Sequence, residues 1–71
     1  MANAKLHVLG MHCGHCQTTV ERALKGVPGV YTAIVDLTDG EAEIDFDDDV
    51  VTTAQLLGAV RQAGYDVKLA G

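Results

Sequence analysis

The run Glu41-Ala42-Glu43-Ile44-Asp45-Phe46 alternates acidic and apolar residues almost without fault. A period of two puts the three carboxylates on one side of an extended chain and Ala42, Ile44 and Phe46 on the other. Such a strand is wet on one face and dry on the other, so the sheet that holds it needs a cover on one side only. The stretch from Val30 is rich in β-branched residues, and Tyr31, Ala33, Val35 and Leu37 share one side of it. Asp39-Gly40 lies between the two runs and predicts a hairpin turn.

Two stretches of helical spacing can supply the cover. Val20, Ala23, Leu24 and Val27 fall at i, i+3, i+4 and i+7, while Gln17, Thr18, Glu21, Arg22 and Lys25 lie mostly outside that stripe. Gly26 and Pro28-Gly29 stop this helix. A second stripe, Leu56, Leu57, Val60 and Ala63, follows Thr52 or Thr53, either of which can cap it, and ends at Gly64. Lys5-Leu6-His7-Val8 and Tyr65-Asp66-Val67-Lys68-Leu69 read as the first and last strands. The order strand, helix, strand, strand, helix, strand predicts an α+β fold, the ferredoxin-like βαββαβ sandwich, with two helices on one face of a four-stranded antiparallel sheet. Its core is expected to hold Leu6, Val8, Val20, Leu24, Val35, Ile44, Phe46, Leu57, Val60 and Val67.

With 71 residues the chain reads as a single domain, 1–71, too small to enclose an organic substrate, and no enzymatic activity is expected. The formal charge of −5 disfavours nucleic acid and anionic membranes and suits a partner with a basic face. No apolar run is long enough to cross a bilayer, and Met-Ala-Asn-Ala-Lys leads into no apolar signal region, so a cytoplasmic location is expected. Asp45, Asp47, Asp48 and Asp49 form an acid cluster that lacks the glycine and distal glutamate of an EF-hand loop, and it reads as a solvated loop.

The chemistry is concentrated in Gly10-Met11-His12-Cys13-Gly14-His15-Cys16, where the first strand gives way to the first helix, with Cys16 expected to start that helix. Two intervening residues let both sulfurs face one point, and the positive end of a helix favours the thiolate form that ligates metal. Two soft thiolates without a third cysteine suit a closed-shell ion content with two ligands, Cu(I) first, with Ag(I) and Hg(II) also fitting. Zn(II) wants four ligands and finds no four-cysteine site here. A disulfide across so short a loop would remove little unfolded-state entropy. A thioredoxin-like redox pair remains an alternative, although the chain is short for that fold and contains no Trp.

That heptapeptide resembles the Gly-Met-x-Cys-x-x-Cys signature of the heavy-metal-associated domain family, which includes bacterial copper chaperones and the N-terminal domains of copper-transporting P-type ATPases. The likeness extends through Val27-Pro28-Gly29-Val30, Asp39-Gly40-Glu41-Ala42 and Ala63-Gly64-Tyr65, nearly the whole chain. It implies that Cys13 and Cys16 are the metal ligands, that Met11 beside Gly10 anchors the loop by pointing into the core, and that Tyr65 lies near the metal loop. The chain departs from the family at His12, where Thr or Ser is usual, while His15 is a commoner variant. Either imidazole is a candidate auxiliary ligand for Cu(I), or for a zinc site of two cysteines and one histidine, whereas His7 reads as surface.

The resemblance further implies transfer of Cu(I) by thiolate exchange to the metal-binding domain of a copper-transporting P-type ATPase or to a copper-responsive regulator. The chain reads as a free-standing chaperone from its Met1 start and its end at Gly71, with an excised ATPase domain or a Zn/Hg-binding module as alternatives. Two open dithiolate sites also predict a copper-bridged homodimer.

Overall fold

The computed structural model describes residues 2–11 and 14–70. Strands β1 (Ala2–Leu9), β2 (Val30–Asp36), β3 (Glu41–Phe46) and β4 (Asp66–Leu69) form one sheet in the order β2-β3-β1-β4, every neighbouring pair antiparallel. Helices α1 (Gly14–Lys25) and α2 (Thr53–Gln62) cover one face, α1 packing on β2 and α2 on β4 and β1. This is the ferredoxin-like arrangement expected from the order of periods.

The alternation in β3 is realised as read: Ala42, Ile44 and Phe46 are buried, and Glu41, Glu43 and Asp45 lie on the open face. Across that face Asp45 accepts hydrogen bonds from Asn3 of β1 at 2.7 Å and Thr32 of β2 at 3.0 Å. Glu43 meets Lys5 at 3.9 Å. Among the described residues no polar or charged residue is fully buried, so the centre of the covered face is apolar. β1 is longer than its four-residue pattern suggests, because Ala2 and Ala4 pair with Phe46 and Ile44 at the far end of β3.

The structure departs from the sequence pattern in β2 and around the start of α2. Val30 pairs with Phe46 and Thr32 with Asp45, so Tyr31 is an extra residue bulged out of the ladder. The bulge reverses the alternation, turning Val30 toward the core and leaving Tyr31 55% exposed beside Asp47. Leu37 falls beyond the end of β2, in the four-residue connection to β3, where Asp36 Oδ1 accepts from the Thr38 N–H at 2.9 Å.

In α2 the fully buried leucine is Leu56, and Leu57 is only half-buried at the core edge. The helix is turned so that Leu56 and Val60, one turn apart, face the sheet. Its start explains the rotation. Thr52 is the N-cap, and Thr52 with Gln55 forms a reciprocal capping box. Val51 just before the cap and Leu56 four residues inside the helix are both in the core, the positions of a hydrophobic staple. Val51, 2% exposed, was absent from the expected core because it belongs to neither period.

Candidate metal centre

The loop between β1 and α1 leaves the sheet under several constraints. The Val8 N–H donates to the Gly40 carbonyl at 2.7 Å, so the end of β1 is held by the β2–β3 connection. Leu9 pairs with Asp66 of β4. The chain then turns at Gly10, whose φ of +88° is one that L side chains rarely adopt. A Cβ there would lie 4.0 Å from Tyr65 Cδ1, which places the Tyr65 ring against the start of the loop. Met11 is half-buried and packs on the core, as does Tyr65. The Tyr65 N–H donates to Val60 O at 3.3 Å where α2 turns into β4.

His12 and Cys13 lie outside the described residues. The helix then begins at Gly14, two residues earlier than the sequence suggests. The apolar stripe that announces α1 starts only at Val20, so the pattern carries no information about its first turn. Cys16 is therefore inside that turn and half-buried, while Gly14 and His15 are exposed. The first turn holds no acidic residue, and Arg22 and Lys25 sit in the last. Within the first turn no carboxylate offsets the positive end of the helix dipole, and the far end carries cations.

The side chains after Cys16 fix this turn. Thr18 Oγ1 donates to Gly14 O at 3.0 Å and Thr19 Oγ1 to His15 O at 2.9 Å, both within the helix. Gln17 Nε2 donates to Val35 O of β2 at 2.6 Å. The sequence pattern set Gln17 aside as polar surface, yet it stands three residues before Val20 and seven before Leu24, on the buried stripe extended one turn toward the loop. That spacing was the signal, obscured by the amide.

His7 is on the open face, in register with Glu41 and Lys68, away from the helices. The carboxylates of Asp47, Asp48 and Asp49 lie within 4.8 Å of one another. Asp47 Oδ1 also accepts the Asp49 N–H at 3.0 Å, as in a polar turn after β3. Charge is unevenly distributed. Of the ten acidic residues only Glu21 lies in a helix, whereas three of the five basic ones do, Arg22, Lys25 and Arg61. The excess acidity belongs to the strands and turns.

Residues 5–66 match the model of the heavy-metal-associated domain. The chain belongs to that family. The copper chaperone CopZ of Staphylococcus saprophyticus is 48% identical over 68 residues, which cover 96% of this chain and 100% of that protein. Among solved structures, a copper-binding domain from HMA7, a P-type ATPase, superposes with a TM-score of 0.98 at 31% identity, covering 100% of this chain and 96% of that one. A CopZ metallochaperone superposes with a TM-score of 0.91 at 40% identity, covering 94% of this chain and 100% of that one. Among the described residues no helix of this heavy-metal-associated domain is long and apolar enough to cross a membrane.

Proposed function

We infer that this chain is a copper chaperone that carries Cu(I) between the thiolates of Cys13 and Cys16. The observation that carries the reading is Cys16 in an acid-free first helical turn next to exposed residues, in a chain similar to a CopZ chaperone along its whole length. Soft sulfur donors select a soft monovalent ion, and a pair of them leaves it under-coordinated. A partner thiolate can then add to the ion, giving a three-coordinate state shared by both proteins, before one sulfur of this chain leaves. A two-sulfur site favours such exchange, because a closed four-ligand site has no open position for the incoming group.

The receiving protein in this reading is the metal-binding domain of a copper-transporting P-type ATPase or a copper-responsive regulator, met in the cytoplasm. Met11 and Tyr65 support the loop from the core side, and His12 and His15 are auxiliary donors available when a third ligand is required. Two loaded chains can share copper across a two-fold axis. The similarity to the ATPase domain favours a second reading, in which the chain is the receiving module itself.

Anaerobic titration of the reduced protein with Cu(I) against a competing chelator tests the site. Stoichiometric uptake by the unmodified chain, lost in both Cys13→Ser and Cys16→Ser, is expected. A chain that cannot compete for Cu(I), or uptake that survives both substitutions, overturns the reading.

A further inference from the structure

We propose that Gln17 is a positioning residue for the metal site, clamping the first turn of α1 to β2 and thereby slowing release of the bound ion. The proposal rests on the reading of Cys16 as a ligand. Gln17 follows that cysteine directly, is half-buried, and spans from the helix to the sheet through its 2.6 Å bond to Val35 O. Among the described residues the Thr18 and Thr19 hydroxyls that follow bond within α1 and do not tie the helix to the sheet.

The acceptor is well placed to serve as a fixed point. Val35 is 4% exposed and is paired in register with Ala42 of β3, itself fully buried, so its backbone is set by the core. A partly buried amide is costly to leave without a partner, which favours one geometry for the Gln17 side chain and hence for the backbone that carries Cys16. β2 is an edge strand of the sheet. The clamp therefore ties the helix tip to the edge of the sheet, while the loop side of the site is tied at Gly10, Met11 and Tyr65.

Ligand exchange requires one sulfur to swing away from the ion. A first turn pinned to the sheet restricts that movement, and loss of the pin frees it. Gln17→Met keeps the length of the side chain and removes the donor. It is expected to raise the rate of Cu(I) loss to bathocuproine disulfonate by about three- to tenfold, the scale of one net hydrogen bond. In the metal-free protein the amides of residues 15–18 are expected to exchange with solvent faster by a similar factor, with those of β1 and β3 unchanged.

Thr52→Ala removes the cap of α2 and sets what a comparable loss of stability does by itself. Its Cu(I) release is expected to match the unmodified chain. Equal release rates in Gln17→Met and Thr52→Ala, or unaltered exchange at residues 15–18 in Gln17→Met, overturn the proposal. If the unmodified chain takes up no Cu(I), the cysteine reading has failed and the release role falls with it. Retained uptake with unaltered release in Gln17→Met defeats the clamp alone.

Discussion

Alanine at Gly29 should destabilise this domain far more than alanine at Gly10, although both glycines have positive φ. Gly29 has φ +96°, and a Cβ there would sit 2.6 Å from Val51 Cγ2 and 2.9 Å from Val50 Cγ1. Val50 is 56% exposed and can turn aside, but Val51 is 2% exposed and locked under α2. The backbone cannot easily retreat either, since Gly29 O accepts the Asp47 N–H at 2.8 Å at the end of β3. The left-handed conformation costs an L residue about 1–2 kcal/mol. Overpacking against a fixed core residue adds about 1–3 kcal/mol. Among the described residues Gly10→Ala meets only Tyr65, at 4.0 Å, and should show the conformational cost alone. Gly58→Ala, inside α2 with nothing within 4 Å of the new methyl, should stabilise by about 0.5–1 kcal/mol. Urea denaturation of the reduced, metal-free protein measures all three, and by heat each kcal/mol corresponds to about 4–8 °C in a domain of this size. Equal losses for Gly29→Ala and Gly10→Ala would refute the argument, because they would mean that Val51 yields without cost.

The turned α2 stripe makes a second comparison available. Leu56→Ala should cost about 2–5 kcal/mol as a core truncation, and Leu57→Ala clearly less, in the same denaturation assay; the reverse order would restore the pattern read from sequence. On the open face, the Asn3 hydrogen bond first and the Thr32 bond second hold the Asp45 carboxyl below its ordinary range. A depressed folded-state pKa means that the contribution is present above the unfolded value and is lost as pH falls through the folded one. Carboxyl NMR should place the Asp45 midpoint below that of ordinary aspartate and move it upward in Asn3→Ala, and an unmoved midpoint would dispose of the Asn3 bond.

The fold was legible because the sheet is one-sided. With every apolar residue of β3 facing in and every acid facing out, register and cover follow from period alone, and the two helical stripes have one place to go. The errors fall where an extra rule acts on the period. A bulge at Tyr31 inserts one residue and reverses the side that Val30 and Tyr31 face. A staple at Val51 rotates α2 by its own geometry and exchanges Leu57 for Leu56. At the proposed site, Cys13 and Cys16 could be put forward from spacing because two sulfurs two residues apart have few other uses. The first turn of α1 could not, since its side chains are small or polar and carry no apolar signal. Gln17 was hidden for the opposite reason: it has the right spacing for the core, but its amide suggests water.

On the proposed reading a cargo site must hold its ligands still and still let another protein reach them, and the surroundings of Cys16 suit both demands with separate groups. Depth would satisfy only the first, because burying charged sulfur without partners is costly and shuts out the incoming thiolate. Here the backbone on either side of the cysteines is anchored instead. Val8 bonds to the Gly40 carbonyl, Met11 packs on the core, and Gln17 reaches Val35. Gly14 and His15 between the anchors stay exposed. Rigidity thus comes from what flanks the loop, while Gly14 and His15 at the helix start remain accessible. The same division explains why core substitutions should alter stability with little effect on metal release, whereas a change at Gln17 should alter release beyond what its loss of stability accounts for.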